Sequence, residues 1–154
     1  DPYERMISEF HFPLTKGFEE YTRAGRCNAE GLNNFTIKSL LWMKDEPLVH
    51  DCHLLPQTAF VYGLDTSSLE VDRRTKRCRH VLRQESLEHD FNSLMDEHGY
   101  GYRLGSQASG GSTTDLDEWG CAKVTPADFT GEARQLINEV YFDDFALLGY
   151  KMLG

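Results

Sequence analysis

No apolar run in the 154 residues approaches the length needed to cross a bilayer. No signal-peptide pattern is visible either, which says little if residues precede Asp1. Positive charge is scarce. Sixteen Lys and Arg stand against 25 Asp and Glu, a formal charge of −9, which disfavours unspecific binding to nucleic acid or an anionic membrane. A local anion site stays open, because a few positioned donors outweigh net charge at short range. Cysteine is sparse too: Cys27, Cys52, Cys78 and Cys121 are widely spaced and form no C-x-x-C pair. Reduced buried thiols, one or two disulfides in an oxidising lumen, and a zinc site all fit four such residues, and the sequence does not choose a pairing. His50, Cys52 and His53 crowd together, with Cys78 and His80 as a second group, but this spacing matches no recognised zinc pattern. No metal is expected.

What is present is the composition of a globular protein, 40% hydrophobic and 12% aromatic, with enough chain for one domain and a sizeable core. The opening "DPYERMISEF" reads as a first helical turn. Asp1 is a good N-cap, Pro2 suits the first helical position, and Glu4 falls where a capping box wants it. Tyr3, Met6, Ile7 and Phe10 then form an apolar stripe at i, i+3, i+4, i+7. A cap normally follows a strand or loop, so the chain reads as a piece of a longer protein.

Pro13 and Gly17 break that helix, and "TKGFEEYTRAGRCNAEG" reads as a loop or frayed excursion. Leu32, Phe35, Leu40 and Met43 give a second helix ending before Pro47. "TAFVYG" is a β-type run ended by Gly63, and "LEVD" and "CRHVLRQE" read as two strands around the basic turn "RRTKR". Ser86 is placed to cap a helix carrying Leu87, Phe91, Leu94 and Met95, closed by Gly99. "GSQASGGSTTD" is a Gly/Ser loop. A last helix begins near Thr130 and carries Ala133, Leu136, Ile137, Val140 and Tyr141. There is no internal repeat. Helices dominate, and two or three short strands make a poor sheet alone. The expected fold is therefore part of an α/β domain whose central parallel strands lie before Asp1.

Four blocks carry a family resemblance. "DPYERMISEFHF" resembles the 3′-phosphate-binding motif of sulfotransferases that use 3′-phosphoadenosine 5′-phosphosulfate. "HLLPQTAFVYG", "VLRQESLEHDFNSLMDEHG" and "LINEVYFDDFALLGY" resemble, in the same order, the family's His-x-x-Pro-Gln segment, its strand–glutamate–helix block and its closing Tyr-x-x-Asp-Phe-x-x-x-Gly-Tyr. The carbohydrate sulfotransferases of membranes, with their microbial and algal cousins, are the nearest in pattern. The resemblance implies that residues 1–154 form one partial domain, the C-terminal two-thirds of a P-loop-like α/β sulfotransferase. Its 5′-phosphosulfate loop, central strands and usual catalytic base would lie upstream.

Several roles follow from the resemblance. Ser8, off the apolar stripe, would donate to the cofactor's 3′-phosphate, and Arg5 would support it electrostatically or pair with Glu4 or Glu9. His53 and Gln57 would flank the acceptor cleft, with His53 a weak candidate for the base and otherwise a structural histidine, and Gln57 either touching substrate or satisfying backbone groups at a strand start. Glu85 would be structural, pairing with Arg83 or Arg5. The family's loop before its last helix carries an asparagine and a serine; this chain departs from that pattern with "GSQASGGS", where Gln107 and Ser109 would be the substitutes. Tyr141, Asp144, Phe145 and Tyr150 would close the fold without chemistry. The basic cluster Arg73, Arg74, Lys76, Arg77 and Arg79 reads either as a solvated turn or as a site for a sulfated glycan or other polyanion. The implied partners are a hydroxylated, glycan acceptor and the missing N-terminal part of the domain or other chains. The implied compartment is the Golgi lumen. The whole protein would transfer a sulfuryl group, while this chain alone would be inactive. The competing expectation is a non-catalytic accessory subunit reusing a truncated sulfotransferase fold.

Overall fold

The computed structural model describes residues 1–11, 27–65, 70–105 and 122–154. Six α-helices are described: α1 (Pro2–His11), α2 (Ala29–Asp45), α3 (Gln57–Tyr62), α4 (Leu87–Glu97), α5 (Gly131–Val140) and α6 (Phe142–Leu148). Short 3₁₀ turns occupy Val49–Cys52, Gln84–Ser86 and Pro126–Asp128. The loops around Pro13 and Gly17 and around Gln107 and Ser109 lie outside the described residues.

The stripe on α1 does what its spacing predicts: Tyr3, Met6, Ile7 and Phe10 are all buried. Asp1 accepts from the N–H groups of Tyr3 and Glu4 at 2.8 and 3.3 Å, an N-cap that satisfies two first-turn donors. Against this stripe pack Leu32, Phe35, Leu40 and Met43 of α2, Ala133 and Ile137 of α5, and Phe145 of α6. Tilted ring pairs fix the aromatic centre, with Tyr3 5.4 Å from Phe145 and Phe10 5.7 Å from Phe35.

Two polar devices set the helix arrangement. Asn28 caps α2, accepting from Gly31 N–H at 3.0 Å. Buried Asn33, one turn later, donates to the carbonyls of Ala29 and Asp128 at 2.7 and 2.9 Å and accepts from Thr130 N–H at 2.7 Å. Its amide thereby joins α2 to the cap of α5, where Thr130 accepts from Ala133 N–H at 3.3 Å. The last predicted helix does start at that point. It breaks at Tyr141, whose backbone leaves the helical region at φ −101°, ψ 24°.

The strand expectations need correction. "TAFVYG" is not a strand: it forms α3, because the Asp144 carboxylate, brought in from α6, accepts from Gln57 N–H and Thr58 N–H at 2.8 Å each. A cap from so far along the chain overrides local β preference. "LEVD" contributes only one antiparallel bridge, Leu64 with Val71, and among the described residues no other strand pairing forms. Residues 79–83 run between elements without joining a sheet. The α4 stripe of Leu87, Phe91, Leu94 and Met95 is half-buried, with no fully buried residue. Ser86 stands at the N-cap position, but its hydroxyl donates to Asp90 at 2.6 Å instead of capping. Gly99 does follow α4 at φ +70°, the left-handed conformation that a helix-terminating glycine supplies. Among the described residues the protein is mostly helical, and no helix is long and apolar enough to cross a membrane.

Candidate functional site

The exposed side of α1 is where the separate motif blocks meet. Arg5 lies on the rim of the apolar stripe, and its guanidinium donates through Nη2 to the His53 carbonyl. The same group lies over the Tyr141 ring, 5.6 Å from its centroid, a cation–π contact worth about 0.5–2 kcal/mol depending on solvation. Its Nη1 is buried and has no hydrogen-bond partner among the described residues. Arg5 therefore does not pair with Glu4 or Glu9; it pins the segment before α3 to α1 and α6.

Tyr141 completes that junction. Its hydroxyl donates to the Leu54 carbonyl at 2.9 Å and lies 3.4 Å from Met6 Sδ. Burial pushes the Tyr141 hydroxyl well above the ordinary tyrosine range, with the Arg5 charge opposing. Tyr141 is thus a fixed donor and does not act as a base at neutral pH.

His53 adjoins through its carbonyl, the acceptor of the Arg5 hydrogen bond. Its Nδ1 lies 3.3 Å from Glu9 Oε2, and its side chain is 42% exposed. The preceding Cys52 adopts φ +69°, a left-handed backbone that sharply redirects the chain as it enters His53. Ser8 is exposed on α1, one turn beyond Arg5, with Glu9 next to it. The expected pair Ser8 and Arg5 thus share a helix face, and His53 joins them through both Arg5 and Glu9. Gln57 is drawn elsewhere. Its side chain is exposed, while its backbone N–H is held by Asp144 at the start of α3.

The third block meets the fourth. Tyr150 Oη lies 3.5 Å from Glu85 Oε2. Glu85 therefore contacts Tyr150, and the Arg83 charge acts on its carboxylate without an ion pair among the described residues. Arg83 reaches the Leu148 carbonyl at 2.5 Å and lies 5.0 Å over the Tyr150 ring, so it caps the end of α6.

Within the basic cluster, Arg73 pairs with Asp143 at 2.5 Å and Arg74 with Asp72 at 3.1 Å. Arg77 packs its guanidinium against Gly63, where an added Cβ would lie 2.5 Å from Arg77 Cζ. Lys76 and Arg79 are exposed. Cys27 is disulfide-bonded, whereas Cys52 and Cys78 are free thiols. Among the described residues no group of three or more His, Cys, Asp or Glu side chains is arranged to hold a metal ion.

Sequence reasoning missed Leu54 and gave Glu9 to Arg5 and not to His53, because both contacts span more than forty residues. The spacing of Glu9 one turn after Arg5 pointed to Arg5 as its partner and carried no signal for His53. Comparison with protein families, characterised proteins and solved structures yields no match to this chain.

Proposed function

We propose that the chain is the 3′-phosphate-holding part of a P-loop-like α/β sulfotransferase domain. The complete domain would move a sulfuryl group from 3′-phosphoadenosine 5′-phosphosulfate to a carbohydrate hydroxyl. The observation that carries this reading is the convergence on Arg5. Blocks one, two and four of the motif pattern, separated by up to 136 positions from Arg5 to Tyr141, meet at one guanidinium. Block three joins block four at Tyr150, through Glu85 and Arg83.

In this reading Ser8 donates its hydroxyl to the 3′-phosphate. It fits that role as an exposed donor on a helix held by its buried stripe and by Arg5. Arg5 acts as a positioning residue, since its Nη2 is already committed to the His53 carbonyl, and its charge offsets Glu4 and Glu9 beside Ser8. His53 and Gln57 border the acceptor side. Sulfuryl transfer is governed by positioning and charge stabilisation, so rigid placement of the nucleotide is a substantive contribution. The groups that grip the transferring sulfuryl would come from outside this chain, which alone transfers nothing.

The test is a binding isotherm on this chain with adenosine 3′,5′-bisphosphate, using adenosine 5′-monophosphate as the control lacking the 3′-phosphate. The bisphosphate is expected to bind about tenfold more tightly, and Ser8→Ala to remove most of that difference, as loss of a charge-assisted hydrogen bond would. Equal binding of the two nucleotides would refute the assignment.

The accessory-subunit reading has one specific support. Leu41, Trp42 and Leu48 stand 48%, 45% and 56% exposed near the end of α2, a local concentration of apolar surface suited to a protein neighbour.

A further inference from the structure

Two histidines from separate segments meet on the surface. The rings of His80 and His98 have centroids 5.5 Å apart and planes at 87°. His98 directly follows α4, where its N–H donates to the Leu94 carbonyl at 3.2 Å. The turn at Gly99 then returns Tyr100 N–H to the Met95 carbonyl at 2.8 Å. His80 is brought alongside by bonds on either side of it. Cys78 N–H donates to the Val61 carbonyl at 3.0 Å, and Arg83 N–H donates to Asp90 Oδ2 of α4 at 3.3 Å. Both histidines are exposed, and neither imidazole makes a hydrogen bond or ion pair among the described residues.

The ring nitrogens of both residues are thus uncommitted within one small patch. A neutral imidazole offers one lone pair to a metal, and imidazole suits zinc, copper and nickel. A nitrogen ligand sits about 2.0–2.1 Å from zinc, so two ring centres on one tetrahedral ion lie roughly 5 Å apart. The observed separation is close to that value. Aiming both nitrogens at one point takes a turn about χ2, which is cheap for exposed rings with broad torsional wells. Cys78 is not in the pair, since its sulfur lies 3.5 Å from the Phe60 carbonyl. Two protein ligands leave the remaining positions to water, an open and exchangeable site, in contrast to a closed four-ligand structural zinc centre.

We propose that His80 and His98 together bind a divalent transition-metal ion of the zinc class, in a two-imidazole site completed by water. The ion would tie the segment around His80 to the end of α4. This inference is independent of the nucleotide reading, because it uses no residue of α1.

The experiment titrates zinc chloride into the protein, followed by calorimetry and by the histidine ring signals in nuclear magnetic resonance, which report each imidazole separately. The His80 and His98 signals should shift together and saturate at a common zinc concentration, while magnesium moves neither. His80→Gln and His98→Gln should each weaken zinc binding at this site about tenfold or more, because two ligands on one scaffold reinforce each other. The double variant should be little worse than either single one. A purely aromatic contact would leave zinc affinity unchanged. Both substitutions replace exposed side chains, and the ring signals of the unmutated protein test the site without any variant. Cys78→Ser should retain binding. Unshifted His80 and His98 rings, an equal response to magnesium, single variants with unchanged affinity, or loss of the site in Cys78→Ser would each overturn the proposal.

Discussion

Asp144 and Thr58 share two hydrogen bonds, the Thr58 N–H and hydroxyl both donating to Asp144 Oδ1 at 2.8 and 2.7 Å. The other carboxylate oxygen accepts from Gln57 N–H, so three donors converge on one buried acid. A helix of six residues is too short to persist through its own hydrogen bonds. α3 exists because α6 supplies its cap. Asp144→Ala should leave the Thr58 donors buried and unpaired, destabilising the fold by about 2–4 kcal/mol. Thr58→Val should cost about 1–2 kcal/mol. The two substitutions should be clearly non-additive in urea denaturation. Additive losses would mean that Asp144 acts elsewhere.

That contact explains what was legible in the sequence. The stripes on α1 and α2, the Thr130 cap and the glycine after α4 follow local rules, because the residues that cause them lie within a turn or two. "TAFVYG" did not, since its helix depends on a carboxylate 86 positions away. The run at 79–85 reads as a strand on one β-favouring residue, Val81; it bends at Arg79 and its last two residues enter the 3₁₀ turn Gln84–Ser86, so no strand forms. At the candidate site the sequence pointed to Ser8, Arg5 and His53. It could not show that the Arg5 guanidinium faces a carbonyl and a ring, because both partners come from distant segments.

Arg5 and Ser8 should separate cleanly in experiment. Arg5→Ala removes a hydrogen bond to His53 and the contact with Tyr141, so thermal unfolding should report a loss of about 1–3 kcal/mol. Arg5→Lys should recover little, since an ammonium cannot donate to the carbonyl while lying flat on the ring. Ser8→Ala lies on an exposed helix face and should change stability by less than about 0.5 kcal/mol. A large stability loss from Ser8→Ala would show that the hydroxyl is structural and would remove it as a ligand donor.

Asn33 offers a sharper stability test. Its amide makes three hydrogen bonds from a buried position, two donated and one accepted. Asn33→Leu is close in volume but leaves Thr130 N–H and the Asp128 carbonyl without partners. The expected loss is about 2–4 kcal/mol by chemical denaturation. Asn33→Asp keeps the acceptor for Thr130 but turns both donors into acceptors facing carbonyls, so it should be at least as damaging.

Thiol chemistry should divide the cysteines. Cys78 is exposed, with its sulfur 3.5 Å from the Phe60 carbonyl, and Cys52 is partly buried. Alkylation of the native protein should label Cys78 first and Cys52 more slowly, with Cys27 labelled only after reduction. Mass spectrometry of the labelled peptides reads the order, and Cys27 labelling without reductant would contradict the disulfide.

His11 sets a pH dependence. At the end of α1 it lies 5.1 Å from the Phe10 ring, with Nε2 buried and unbonded among the described residues. Burial holds its imidazole below the ordinary 6.5, because the charged form loses hydration in the fold. Between that lowered value and 6.5, the unfolded chain binds the proton more readily than the folded one. Stability from this residue is therefore full above about pH 6.5 and declines as the pH drops toward the folded value, the slope following the difference in bound protons. His11→Gln cannot titrate, so its stability should fall less than that of the wild type between about pH 7.5 and 5.5. Parallel urea titrations at those two pH values give the comparison. Equal declines in both proteins would place the acid sensitivity on other groups and show that His11 ionises as freely in the fold as in water.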